Sequence, residues 1–164
     1  MINKYFKNKE LLEKDYSFYL KNHQIISKEC SENLISAHIH KAEHNLKLLE
    51  QLSSEFNDWK IVSIYYSLYH ACLALVANKN FVSKNHTATL IFLIKHYSEL
   101  NKTELKLISE LQIKEQDAIF YTELKNSRHN ASYSTNLFFN DNDIVEFKNK
   151  TIIFLTKVKE IITY

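Results

Sequence analysis

Hydrophobic residues recur along most of the chain at intervals of three and four positions, which is the periodicity of an amphipathic helix. The clearest example runs from about Ser31 to Leu52, and its apolar positions are Leu34, Ile35, Ile39, Ala42, Leu46 and Leu49. The next segment, from about Asp58 to Lys79, is apolar around most of its circumference. We therefore predict that it is the central helix of a bundle, capped by Asn57 or Asp58.

Four further segments are predicted to be helical. They are residues 4–21, residues 86–97, residues 102–130 and the residues from 141 onward. Asn85 or Ser83 caps the second of these, and Asn101 followed by Glu104 forms a capping box for the third. Residues 130–143 are rich in turn formers and are predicted to be an irregular loop. In the last helix one side carries most of the apolar residues, which are Ile144, Phe147, Ile152, Phe154, Leu155, Val158 and Ile162.

The composition strengthens the helical prediction, because the chain contains no glycine and no proline. Tight hairpin turns and phosphate-binding loops both depend on glycine, so P-loop and Rossmann nucleotide sites are excluded. A length of 164 residues suits one domain. The predicted fold is all-α, an up-and-down bundle of five to six helices.

Charge and cysteine content narrow the class of protein. With 21 Lys and Arg against 19 Asp and Glu the net charge is +2, so nucleic-acid binding needs a local basic patch. The N-terminus is too charged for a secretory signal, and no apolar stretch is expected to reach membrane-spanning length, so the expected location is the cytoplasm. Cys30 and Cys72 are predicted to be buried free thiols, in preference to a disulfide.

Three segments, in this order, carry a family resemblance. They are WKIVSIYYSLYHACLALVANKNF with Tyr65, Tyr66, Tyr69, His70 and Ala71, SKNHTATL with Lys84 and His86, and RHNASY with Arg128, Ala131 and Tyr133. Together they resemble the HEPN family, the helical domains of RNA-cutting toxins and of partners of small nucleotidyltransferases. The resemblance is to the small stand-alone branch and covers about residues 30–164, which leaves 1–29 as an N-terminal helical extension of a single domain.

The resemblance implies a metal-independent endoribonuclease without a cofactor, in a toxin–antitoxin or phage-defence system. In the family two protomers pair so that two Arg/His sets line one cleft. Arg128 would then hold the phosphate, His129 would be the acid or base, and Tyr133 would orient. Cleavage of this kind needs a base for the 2′-hydroxyl, an acid for the 5′-oxygen and a cation for the phosphorane. Four further residues are predicted to contact RNA or nucleotide, namely Lys84, His86, Lys125 and Asn130.

One departure from the family pattern leaves a second function open. RNA-cutting members carry a His four to six residues after the Arg, whereas Tyr133 stands there and His129 is the last histidine of the chain. The alternative is therefore a catalytically inactive subunit that binds nucleotide or RNA, or docks an antitoxin or a minimal nucleotidyltransferase. In that setting Tyr133 is the position to test for nucleotidylation. The structural alternatives are Arg128 as a helix C-terminal cation, Tyr133 as a residue that packs the loop onto the core, and His86 and His129 as surface histidines.

Other candidate residues are assigned structural roles. His40 and His44 have the spacing of a zinc pair, but no third ligand with suitable spacing follows, so no metal site is predicted. His70 is predicted to be a buried, hydrogen-bonded core histidine. The tyrosines of the central helix lack interleaved Lys or Arg and are predicted to be core packing, not a base-stacking surface.

Overall fold

The computed structural model describes residues 2–126 and 139–163, without the side chains of residues 117, 118 and 120–126. The protein is 80% helical and forms an all-α helical bundle, which confirms the predicted fold class. In the described ranges the helices are α1 (Asn3–Lys7), α2 (Lys9–Lys21), α3 (Glu32–Leu48), α4 (Asn57–Asn78), α5 (His86–His96), α6 (Lys102–Asn126) and α7 (Asp141–Thr163). Two 3₁₀ turns, Leu49–Gln51 and Ser54–Phe56, connect α3 to α4.

The number of helices differs from the prediction of five to six, because the N-terminal segment forms two helices. Asn8 has an extended backbone (φ −136°, ψ 97°) between α1 and α2, and its side chain accepts a hydrogen bond from the Leu11 N–H. An asparagine side chain that caps a helix in this way competes with continuous helix at the same position.

A short antiparallel sheet was not predicted. Strand β1 (Ile25–Ser27) pairs with β2 (Phe81–Ser83), with Ile25 opposite Ser83. The turns that precede the two strands use His23 and Asn80 at positive φ, 53° and 61°, where glycine is the usual residue. The sheet joins segments more than fifty residues apart, so no local hairpin pattern marks it in the sequence.

Helix α4 is the central element, as predicted, and packs against α3, α5, α6 and α7. Its fully buried side chains include Ile61, Ile64, Leu68 and Leu75. The stretch Ser54–Asn78 is long and apolar enough to cross a membrane, so the expectation that no stretch reaches that length was wrong. The observation is weak support for a membrane span, because 67% of the apolar window is buried inside the bundle and core helices of soluble proteins pass the same test.

Helix caps were predicted with mixed success. The capping box of α6 is confirmed, since Asn101 Oδ1 accepts from the Glu104 N–H at 3.0 Å and Glu104 Oε2 accepts from the Asn101 N–H at 2.7 Å. Asn85 caps α5 through the Ala88 N–H at 3.0 Å. Asn57 does not cap α4. Its amide instead donates to the Phe139 carbonyl at 2.9 Å and to Asp141 at 2.8 Å, which ties the start of α4 to the start of α7.

Two contacts fix the direction of α6 relative to α4. The Tyr97 hydroxyl, just before α6, lies 2.5 Å from the Leu75 carbonyl in the last turn of α4. Further along α6, Glu115 shares a hydrogen bond with Tyr66 in the middle of α4. The two helices therefore run antiparallel, and α6 ends towards the N-terminal half of α4.

Candidate functional site

The structure describes only part of the predicted site. Lys84 is exposed just before α5, and His86 is half-buried at the first residue of α5. Lys125 belongs to the last turn of α6, but its side chain is outside the described part. The four remaining site residues lie outside the described residues and stay predictions; they are Arg128, His129, Asn130 and Tyr133.

His86 lies at the centre of a cluster of rings. Its Nδ1 is hydrogen-bonded to the hydroxyl of Tyr65, which is 1% exposed. The imidazole also stacks on Tyr69, with the two ring centroids 4.2 Å apart and the planes 13° from parallel. These two contacts fix the ring, and among the described residues no group hydrogen-bonds its Nε2.

Local structure places His86 against α4. After α4 ends at Asn78 the chain turns back, and β2 packs against α4 while it pairs with β1. The Asn85 cap then starts α5 at His86, so the imidazole faces the turn of α4 that carries Tyr65 and Tyr69. Thr89, one turn further along α5, hydrogen-bonds Tyr69 and Ser83 and anchors the same corner.

Burial keeps the cluster neutral near pH 7. It lowers the pKa of His86 below its ordinary 6.5, because desolvation penalises the imidazolium. It raises the pKa of both Tyr65 and Tyr69, since desolvation penalises the phenolate in the same way. In the tautomer that donates its Nδ1–H to the Tyr65 oxygen, the neutral imidazole can accept a proton or a hydrogen bond at Nε2.

Glu115 of α6 adds a buried carboxyl group next to the cluster. It is 6% exposed, and burial raises its pKa, an effect opposed by the hydrogen bond from Tyr66. Burial is the largest cause of the raised pKa of Tyr65, and the nearby charge of Glu115 also contributes to it. Glu115 was not among the predicted site residues. The available signal was its position four residues after Leu111, where an apolar residue would continue the buried stripe of α6.

A second pair of imidazoles lies between α3 and α4. The Nδ1 atoms of His38 and His70 are 3.1 Å apart and share a hydrogen bond. His70 is therefore hydrogen-bonded as predicted, but it is half-buried, not buried. Burial is the largest cause that lowers the pKa of each ring.

The fold also locates the other histidines, the cysteines and the tyrosines that were predicted to have structural roles. His40 and His44 are both exposed, and no group of three or more His, Cys, Asp or Glu within residues 2–126 and 139–163 is arranged to hold a metal ion. Both cysteines are free; Cys72 is buried, but Cys30 is only half-buried, so its predicted burial was wrong. Tyr66 is 36% exposed, so not all the tyrosines of α4 are core packing.

Comparisons with known proteins give one informative match. No family model matches the chain. The chain is similar to a curated protein of Methanocaldococcus jannaschii named "Putative toxin MJ0142", with 28% identity over 123 residues. The matched region covers 74% of this chain and 77% of that protein. The similarity supports a toxin-like function for this protein.

Proposed function

We propose that this protein is a HEPN-type toxin that cleaves RNA without a metal ion and acts as a homodimer in the cytoplasm. The observation that carries the proposal is the similarity to a toxin-named protein over about three quarters of the chain. The three HEPN-like segments support RNA cleavage as the activity of the proposed toxin, because one of them places Arg128 next to His129. The setting we propose is a toxin–antitoxin or phage-defence system.

Arg128 is the proposed phosphate-binding residue. It is the only arginine among the 21 basic residues of the chain, so 20 of them are lysines. A planar guanidinium binds two phosphate oxygens at once and stays charged, whereas a lysine offers a single point charge. No other residue of this chain offers that bidentate contact. His129 supplies proton transfer beside it, Tyr133 orients the substrate, and Lys84, His86, Lys125 and Asn130 contact the RNA.

A second candidate function rests on the residue at the distal position of the motif. A tyrosine hydroxyl, whose reference pKa is about 10, is a poor proton carrier at neutral pH, unlike the histidine that Tyr133 replaces. A catalytically inactive HEPN subunit would keep RNA or nucleotide binding and would dock an antitoxin or a small nucleotidyltransferase. In that case Tyr133 is the proposed acceptor of a nucleotidyl group.

The test is cleavage of end-labelled single-stranded RNA by the purified protein in excess EDTA. We expect Arg128→Ala to lower the rate by about 10²–10³-fold, the loss seen when one group that stabilises developing charge is removed. Arg128→Lys is expected to restore only part of the rate, because it keeps the charge and loses the fork. Lys9→Ala is the control, since it removes an exposed cation from α2.

The outcomes separate the two candidates. Cleavage that persists in Arg128→Ala, or that requires a divalent metal, would rule out the proposed nuclease. No cleavage by the unaltered protein, together with a stable complex with the product of a neighbouring gene, would support the inactive subunit. Sedimentation velocity across a concentration series measures whether the homodimer forms.

A further inference from the structure

We propose that the His38–His70 pair is a pH-sensitive switch, which holds α3 against α4 and releases α3 when both imidazoles are protonated. The two Nδ1 atoms are 3.1 Å apart and share a hydrogen bond across the interface of the two helices. The proposal concerns the response of the bundle to acid, and it does not depend on the proposed RNA cleavage.

The hydrogen bond between the two imidazoles needs one donor and one acceptor. It forms when one Nδ1 carries a proton and the other does not. Addition of a single proton preserves this arrangement, because an imidazolium still donates to the neutral ring. Addition of a second proton leaves an N–H on both Nδ1 atoms, so no acceptor remains and two positive rings face each other. The second proton therefore replaces an attraction with a repulsion.

The groups around the pair add to this repulsion. Burial is the largest cause that lowers the pKa of His70, and the charges of His38 and Lys41 lower it further. Burial also lowers the pKa of His38. Tyr69, whose ring centroid is 6.5 Å from that of His70, stays neutral because burial raises its pKa. Within the described ranges no carboxylate is found to stabilise the protonated form of either ring.

Helix α3 is attached to the bundle by little buried surface. All 17 of its residues are described, and Ala42 alone is buried, whereas the 11 residues of α5 include six buried ones. Ile35, Ile39 and Leu46 pack against the core but are only partly buried. A helix with few buried apolar contacts can open at a lower free energy than the whole bundle needs to unfold. A change in one contact can therefore release α3 while the other helices stay folded.

The side of α4 that faces α3 is polar. The Ser63 hydroxyl donates to the Asn45 carbonyl at 2.7 Å, Ser67 follows Ser63 one turn later, and His70 follows Ser67 by three positions. The Ser67 hydroxyl and the Asn45 amide nitrogen are buried without a hydrogen-bond partner among the described residues. The interface thus already contains unsatisfied polar atoms, and loss of the His38–His70 hydrogen bond would add two more.

The experiment is hydrogen–deuterium exchange of the whole protein, followed by mass spectrometry while the pH is lowered from about 8 until both rings are protonated. Exchange rates are corrected for the effect of pH on unstructured amides, so that protection factors are compared. We expect the protection of α3 to fall at least about tenfold, the size of one lost buried hydrogen bond. Helix α6 contains no histidine and is the internal reference, so its protection is expected to fall less.

His38→Asn separates the hydrogen bond from its pH dependence. The asparagine amide can both donate and accept, so it can bond to the Nδ1 of His70 whether or not that ring is protonated. We expect the protection of α3 in this variant to respond to pH no more than that of α6. His40→Gln is the matched control, because it removes an exposed imidazole from the same helix, and it is expected to respond as the unaltered protein does.

Nitrogen NMR of the two imidazoles measures their protonation over the same pH range. Unchanged protection of α3 once both rings are protonated would overturn the proposal. An equal loss of protection in α3 and α6 would overturn it as well, because that result indicates unfolding of the whole bundle. A pH response of α3 in His38→Asn equal to that of the unaltered protein also rules out the switch. If circular dichroism shows that His38→Asn is unfolded, His70→Asn decides by the same criterion.

Discussion

Removal of one hydroxyl group by Tyr97→Phe tests how the C-terminal ends of α4 and α5 are held together. The Tyr97 side chain is 2% exposed, and its hydroxyl donates to the Leu75 carbonyl at 2.5 Å. Helix α4 ends at Asn78, and the N–H of Lys79 bonds to the Val76 carbonyl instead of extending the ladder back to Leu75. The tyrosine hydroxyl therefore satisfies a carbonyl that the helix leaves without its usual partner.

The size of the expected loss in unfolding free energy follows from the cost of leaving a buried carbonyl without a hydrogen-bond donor. A phenylalanine keeps the packed ring and leaves the carbonyl without its donor, which costs about 1–3 kcal/mol of unfolding free energy. For a chain of this size each kcal/mol lowers the melting temperature by about 2–4 °C. The ring contributes equally in both proteins, so the difference measures the hydroxyl.

The assay is urea denaturation followed by circular dichroism, with the midpoint and the m-value fitted for both proteins. Tyr19→Phe is the control, because Tyr19 is half-buried and no hydrogen bond of its hydroxyl is found within the described ranges. A loss below about 0.5 kcal/mol for Tyr97→Phe, or an equal loss for the control, would refute the reasoning.

Alkaline pH gives an independent check of the same contact. Burial raises the pKa of Tyr97 from 10.0 to about 12, so the folded protein keeps a proton that the unfolded chain loses first. Its contribution to stability is complete below pH 10 and is lost as the pH rises from about 10 to about 12. Tyr97→Phe is therefore expected to lose less stability than the unaltered protein across that window.

Three further predictions concern other parts of the fold. Burial lowers the pKa of both His38 and His70, so their contribution to stability is fully present above pH 6.5 and decreases as the pH falls below 6.5. We expect the denaturation midpoint of His38→Gln to depend less on pH in this range than that of the unaltered protein. Asn101→Ala removes the cap of α6 and is expected to cost about 1 kcal/mol by urea denaturation, and an unchanged midpoint would contradict the capping box. A thiol reagent is expected to modify half-buried Cys30 in the native protein and to reach buried Cys72 only after unfolding, as mass spectrometry of timed samples can show.

The sequence predicted the features of the fold that depend on local order. The central position of α4 followed from its apolar circumference, and the starts of α5 and α6 followed from Asn85 and Asn101. These features can be predicted because helical periodicity and capping hydrogen bonds join residues three or four positions apart. The candidate site residues follow instead from the family resemblance, in which His86 belongs to the SKNHTATL segment.

The remaining features depend on contacts between distant segments. Asn57 matched the pattern of a helix cap, yet in the fold its amide meets Phe139 and Asp141, more than eighty residues away. Ile152 was placed on the buried side of α7 but is 41% exposed, because α7 packs along only part of its apolar stripe. Periodicity identifies an apolar side, whereas the neighbouring helices decide how much of it is covered.

The amino-acid order by itself determined that the chain forms helices, where most of them begin and which one is central, because those properties arise within a few residues. Only the tertiary structure decided that Tyr65 meets His86 and that Glu115 is buried next to them. Hydrogen bonding and desolvation of a side chain depend on neighbours that the fold brings together across the chain. The protonation state of His86 is therefore a property of the packed bundle, not of its own segment.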